Sequence, residues 1–179
     1  MRKSDHRDAN LRTANLLGAL SLVMMDGMKA ELGALTEIGE SDWAALIVLE
    51  HMPETTVDHL ARIVRLSQPG AVRLVDRLEA AGWVERRQGS DRRARPLVLT
   101  GAGHRMVRAL LLGRERTLRQ PLDVLDDGER ETLARLLEKM LAGLGKTEAE
   151  ADTACRLCDE SACPEETCPL TQGCRAAAP

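Results

Sequence analysis

Ser67-Gln68-Pro69-Gly70-Ala71-Val72-Arg73-Leu74-Val75-Asp76-Arg77-Leu78-Glu79-Ala80-Ala81-Gly82-Trp83-Val84-Glu85-Arg86 changes its hydrophobic period partway along, and that change decides the fold. As far as Ala81 the apolar residues recur at helical spacing; from Trp83 onward apolar and charged residues read as a short strand. Ser67 reads as the N-cap, and Pro69 is tolerated because an N–H in the first turn would be unpaired anyway. Gly82 suits a left-handed stop. This reading puts Val72, Val75, Leu78 and Ala81 on the buried face, with Gln68, Pro69, Ala71, Arg73 and Arg77 facing outward. A second strand, Arg95-Pro96-Leu97-Val98-Leu99, follows the turn-rich run Gln88-Gly89-Ser90-Asp91-Arg92-Arg93, so the two strands form a hairpin.

Immediately upstream, Thr55 or Thr56 caps a shorter helix whose Leu60, Ile63 and Val64 point inward. One helix supporting a second across a short turn is a helix-turn-helix, in which the second helix enters the major groove N-terminus first. Gln68 and Arg73 carry the donors and acceptors suited to adenine and guanine edges. The hairpin becomes a wing, with Asp91-Arg92-Arg93 as a basic tip thin enough for the minor groove and Asp91 pairing a neighbouring Arg.

The flanks are helical. Leu11, Ala14, Leu17, Leu20, Val23, Met24 and Met28 form a long apolar stripe that Gly33 ends, and Ser41 reads as the cap of a short buried helix carrying Trp43, Leu46, Ile47 and Leu49. Thr100 caps a long helix to about Arg119, stopped by Pro121. Asp126 with Glu129 forms a capping box for a last helix bearing Leu133, Leu136, Leu137, Met140, Leu141 and Leu144. The first and last helices are apolar over more surface than one small head can cover, and a second copy of the chain would bury it. The expectation is a mainly α protein: a winged helix-turn-helix at 41–104, dimerisation helices at 1–40 and 105–146, and a cysteine-rich tail at 147–179.

These residues resemble the MarR family of transcriptional regulators. The resemblance is carried by Leu60-Ala61, Ser67-Gln68, Val72 to Glu79, Gly82-Trp83-Val84-Glu85-Arg86, Asp91-Arg92-Arg93, and Leu99-Thr100 with Gly103. It covers roughly residues 10 to 146. It implies a homodimer placing two winged heads on a pseudo-palindromic operator of double-stranded DNA, and repression relieved by a small phenolic-type ligand, thiol oxidation or a metal. The family's wing Asp and Arg fall on Asp91 and Arg93, and Arg92 adds a charge. Pro69-Gly70 is an uncommon opening for the reader helix, and the tail is not a standard part of the family.

Charge distribution agrees with a DNA-binding middle. Net charge is −3, but residues 54–119 hold 14 Arg against 7 Asp and Glu, while residues 147–179 hold 2 Arg against 7 acidic residues. A basic centre between acidic ends supplies the local field that phosphates need. There is no Phe or Tyr, so Leu, Val, Ala and Met fill the core around 2 Trp. No signal peptide or membrane span is legible, and the expected location is cytoplasmic. Nucleophile elbows, phosphate-binding glycine loops and HExxH are missing, which argues against an enzyme.

All five cysteines lie in the tail, as Cys155-x2-Cys158-x4-Cys163-x4-Cys168-Pro169-x4-Cys174. Clustered thiols in a cytosolic chain point to a metal or redox site rather than to structural disulfides. Cys155, Cys158, Cys163 and Cys168 are the expected ligands, with Cys174 as an alternate. An iron–sulfur cluster is favoured over zinc because ferredoxin-type runs also end in Cys-Pro, and a thiol switch ranks third. Without a ligand the segment has too few large apolar residues to form a core. His51, His59 and His104 lack paired ligand spacing and read as ordinary histidines; Met24, Met25 and Met28 read as core filling rather than an effector pocket. Two functions follow: a regulator whose tail senses redox state, metal or a small ligand, or an iron–sulfur or thiol redox protein that uses the winged fold only for assembly.

Overall fold

The run Trp43-Ala44-Ala45-Leu46-Ile47-Val48-Leu49 is apolar on every side, and a helix of that kind must be covered on every side. It forms the centre of α2 (Glu40–His51), where Asp42 to Leu49 are all buried. The computed structural model describes residues 2–87, 95–144 and 147–177. In chain order the elements are α1 (Arg2–Gly33), α2, α3 (Val57–Ile63), α4 (Gln68–Ala80), β1 (Val84–Arg86), β2 (Leu97–Leu99), α5 (Gly101–Arg119), α6 (Asp127–Ala142), α7 (Glu148–Cys155) and α8 (Pro169–Ala177). Single 3₁₀ turns at Gln120–Leu122 and Glu165–Thr167 precede α6 and α8.

Helices α4 and α5 and strand β2 pack around α2, and α1 lies along α5. The core is built from Leu46, Ile47 and Leu49 of α2 with Leu60, Leu74, Leu78, Leu97 and Leu110 from the surrounding elements. β1 and β2 pair antiparallel, Val84 opposite Leu99 and Arg86 opposite Leu97. The Leu97 N–H also donates to the Thr55 carbonyl at 2.9 Å, so the base of the hairpin is tied to the start of α3.

Most helix starts form where the sequence places them. Thr56 accepts from His59 N–H at 3.3 Å, Ser67 from Gly70 N–H at 3.3 Å and Thr100 from Gly103 N–H at 3.1 Å. Asp126 and Glu129 close a reciprocal capping box at 2.9 and 3.0 Å. Gly82 takes φ of 72°, the left-handed stop its position requires. Ser41 is the exception. The helix begins at Glu40 with Gly39 as its N-cap, because the Asp42 carboxylate reaches back to the Gly39 N–H at 3.2 Å.

The buried face of α4 differs from expectation by about one position. Ala71, Leu74, Val75 and Leu78 point inward, Val72 is half-buried, and Ala81 is exposed. Ala71, expected on the outward face, is wholly covered. Positions 71, 74, 75 and 78 follow the i, i+3, i+4, i+7 spacing of a single helix face. A small alanine there lets the helix approach its neighbours closely, which raw hydrophobicity, ranking Val72 higher, does not indicate.

The tail also departs from expectation, since its described part is helical. Thr147 caps α7 by accepting from Glu150 N–H at 3.3 Å, and Ala151, Cys168 and Leu170 form a small buried cluster with Cys155 and Cys174 against it. Cysteine side chains supply much of the apolar volume that the segment otherwise lacks. α7 rests on α3, and α8 packs on α6.

Gly103 shows how tightly the hairpin base meets α5. A β-carbon there would collide with the Trp83 carbonyl and press on Leu99 at 3.1 Å. Gly103→Ala should therefore cost at least about 2 kcal/mol in urea unfolding, by forced displacement of backbone. An unchanged midpoint would show that this junction is looser than described.

Candidate nucleic-acid interface and cysteine pocket

The start of α4 projects from the head. Ser67, Gln68, Pro69 and Arg73 are exposed, and among the described residues no carboxylate pairs with Arg73. Arg77 behaves differently: its Nη2 lies 2.7 Å from Asp42 Oδ1, a carboxylate that is almost fully buried. Asp42 thus uses one oxygen to cap α2 and the other to hold α4. Arg77, expected to face DNA, is half exposed and also anchors the reader helix through Asp42.

A second clamp joins α4 to the hairpin. Arg86 of β1 pairs with Glu79 and, at 2.7 Å, with Asp76, both on α4, and its backbone N–H donates to Glu79 at 3.1 Å. The wing therefore keeps a fixed relation to the reader helix at its base. Its tip residues Asp91, Arg92 and Arg93 lie outside the described residues. Sequence reasoning did not single out Asp42, Asp76 or Glu79. Alternating acids and arginines at i, i+1 and i, i+3 on the reader helix were the available signal.

The cysteines gather elsewhere. All five line one cavity of about 620 Å³, whose remaining wall includes Ile47, Val48 and His51 of α2 with Met52 and Ile63. It lies between tail and head, and polar contacts cross beside it. Arg156 Nη2 is 3.4 Å from Glu40, His51 Nδ1 is 3.5 Å from Glu160, and Leu157 packs against the head's core. Cys155 and Cys168 approach to 3.9 Å between sulfurs. Tetrahedral zinc, with Zn–S near 2.3 Å, needs sulfur separations of about 3.8 Å, and this pair meets that spacing. Among the described residues no three His, Cys, Asp or Glu side chains are gathered as a ready metal site.

The thiols differ in acidity. A hydrogen bond from Cys155 and the nearby Arg114 guanidinium outweigh burial and bring Cys158 down to about 7. The same hydrogen bond, with burial and the neighbouring sulfurs, holds Cys155 protonated. Burial pushes Cys168 up, but backbone and side-chain hydrogen bonds from Thr171 and the Leu170 N–H bring it below the ordinary thiol value. The sequence explains this. Cys168 sits at the start of α8, its carbonyl accepting from Gln172 N–H at 2.9 Å, and Pro169 fills the first position, where no donor is needed. Cys163 is exposed and raised, first by partial desolvation and then by neighbouring sulfurs.

Comparison with known proteins gives a consistent set of similarities. Residues 36–94 match the family model described as MarR family. The chain is 33% identical over 116 residues to the transcriptional repressor MprA of Escherichia coli (strain K12), covering 63% of this chain and 66% of that protein, just under two thirds. A MarR family protein from Bacillus stearothermophilus superposes with a TM-score of 0.66 at 24% identity, over 75% of this chain and 94% of its own. A point mutant of Staphylococcus aureus MepR bound to an oligodeoxyribonucleotide superposes with a TM-score of 0.56 at 21% identity, over 74% and 97% respectively. At these identities the structural matches establish the fold.

Two outcomes test the geometry. Arg77→Ala leaves the buried Asp42 carboxylate short of its cation and should lower stability by about 1–3 kcal/mol, discounted because Arg77 is half exposed. Arg73→Ala should stay within about 0.5 kcal/mol of wild type; equal losses in thermal unfolding would remove the anchor role. In metal-free protein, iodoacetamide at neutral pH should modify Cys158 before Cys163. The Cys158 rate should rise through pH of about 7, as its lowered pKa exposes thiolate there. Peptide mapping that finds Cys163 modified first would contradict this ordering.

Proposed function

We propose that the chain is a member of the MarR family and a homodimeric, sequence-specific DNA-binding regulator, a repressor whose operator binding answers to the state of its cysteine pocket. The observation that carries the DNA-binding part is the way α4 is presented. Asp42–Arg77 and the Arg86 pairs fasten the helix to the head, leaving Gln68 and Arg73 exposed near its start. Fixed backbone and free side chains are what base-edge readout needs. Ser67, Gln68, Pro69 and Arg73 would meet the major groove, and Asp91, Arg92 and Arg93 of the wing the minor groove. The relative's name, transcriptional repressor, and the MepR–oligodeoxyribonucleotide complex support this reading. Members of this family regulate transcription rather than catalyse reactions, in keeping with the catalytic motifs missing from the sequence.

Dimerisation rests on uncovered apolar faces. No residue of α6 is buried, although Leu136, Leu137, Met140 and Leu141 line it. On α1, Leu11, Leu16, Leu17, Leu20, Leu22 and Val23 are all exposed. Monomers rarely leave faces of this extent in water, and two copies joined about a twofold axis would bury both and pair the reader helices on a pseudo-palindrome.

The sensing part rests on the pocket. Five thiols on one cavity fit a thiolate-bound metal centre, with Cys155, Cys158, Cys163 and Cys168 as ligands and Cys174 as alternate. The Cys168-Pro169 ending, shared with ferredoxin-type runs, favours an iron–sulfur cluster over a single zinc ion. Once bound, a cluster supplies one-electron redox chemistry. The chain's own contribution is to lower the thiol pKa of Cys158, through Cys155 and Arg114, and that of Cys168, through the start of α8. A small apolar effector in the same cavity is the alternative input.

Gel shifts on the DNA upstream of the chain's own coding sequence, across a salt series, test the function. Binding should exceed that to random DNA by at least about 10³-fold and weaken steadily as salt rises. Arg73→Ala should lose about 1–3 kcal/mol of that preference. Equal binding to random DNA would leave a redox protein that uses the fold for assembly alone. Anaerobically purified full-length protein should contain iron and sulfide; one zinc per chain with no colour would reverse the metal order.

A further inference from the structure

His51 is the last residue of α2 and lines the cavity that holds all five cysteines. Its Nε2 is buried and has no hydrogen-bond partner, while its Nδ1 lies 3.5 Å from a Glu160 carboxylate oxygen. A neutral imidazole carries its proton on one nitrogen, and a carboxylate beside Nδ1 favours the proton there. Nε2 is then a bare lone pair. An acceptor buried without a partner costs about 1–3 kcal/mol, so such an atom needs an occupant. Metal-ligating histidines show this arrangement: one nitrogen bonds the metal while the other faces a carboxylate that sets tautomer and ring orientation.

We infer that His51 is a ligand of the cysteine-pocket centre, so that the metal is bound by both the tail and the DNA-binding head. The inference rests on the metal-bearing reading of the pocket proposed above and puts an imidazole in place of one of its four thiolates, since a zinc ion or a four-ligand cluster has no position for a fifth donor. Sets that mix thiolates with one imidazole are established for zinc, and imidazole replaces thiolate in some iron–sulfur centres, where it raises the reduction potential. Glu160 becomes the orienting carboxylate rather than a surface charge.

The consequence is mechanical. His51 closes the C-terminal end of α2, and Asp42, near its N-terminal end, holds Arg77 of the reader helix at 2.7 Å. A metal bond at one end of this buried helix therefore acts on the element that positions α4. Ligands drawn from the tail alone would leave the head free of the centre.

The test uses the full-length chain, purified without oxygen and reconstituted in one arm with iron and sulfide and in the other with zinc. In the reduced iron–sulfur form, pulsed paramagnetic resonance should show coupling to an imidazole nitrogen that disappears in His51→Ala. Should only zinc load, cobalt(II) in its place carries the same readout. Against a competing chelator, His51→Ala should hold metal more than about 10-fold less tightly and Glu160→Gln about 10-fold less. Thermal unfolding of the metal-free variants separates ligand loss from misfolding, and the nitrogen coupling of wild-type protein decides the matter if His51→Ala does not fold. Wild-type protein that takes up neither metal overturns both the pocket reading and this one. Loading that is lost in Cys158→Ser but equal to wild type in His51→Ala overturns the His51 assignment alone, as does a loaded wild type without nitrogen coupling.

Discussion

Helix α2 is covered on all sides from Asp42 to Leu49, and the two working parts of the molecule are fastened to its two ends. At the N-terminal end the buried Asp42 carboxylate caps the helix with one oxygen and grips Arg77 of α4 with the other. At the C-terminal end His51 faces the cysteine cavity. A buried carboxylate is tolerated only when its hydrogen-bonding capacity is met, so its geometry is strongly constrained. That constraint fixes where the reader helix points. The Arg86 pairs with Asp76 and Glu79 then fix the base of the wing against the same helix.

The basic middle of the chain is divided between two tasks. Arg77 and Arg86 are neutralised internally and set geometry; Arg73 remains exposed at the reader surface. Counting charge along the sequence cannot make this division, because a paired and an unpaired arginine contribute equally to the count. The acidic tail is likewise not a free counterweight. Glu160 and Arg156 join it to α2, so part of its negative charge is held against the head.

Features set by neighbouring residues were legible in the sequence. Thr56, Ser67, Thr100 and Asp126 cap helices as read, since a cap needs only a side chain and an amide three positions on. The reading failed where distant packing or a competing side chain decided. Gly39 replaced Ser41 as the N-cap of α2 because the Asp42 carboxylate reaches back to the Gly39 N–H, and Ala71 took the place assigned to Val72 because close helix packing favours small residues. In the tail, Thr147 with Glu150 is a recognisable helix start that the cysteine pattern overshadowed. Cys168-Pro169, read as a metal-site signature, is also the start of α8. His51 was set aside for want of a paired ligand spacing, and the thiols that share its cavity lie more than a hundred positions further along the chain.

Coupling between pocket and reader helix is the central claim, and operator affinity with the pocket loaded and empty measures it most directly. Fluorescence anisotropy on one labelled operator, at one salt concentration, should give dissociation constants for metal-loaded and metal-free full-length protein that differ at least about 10-fold, within the usual range of allosteric coupling. Equal constants, obtained with metal content verified in both samples, would contradict the coupling and leave the head a DNA reader independent of its tail.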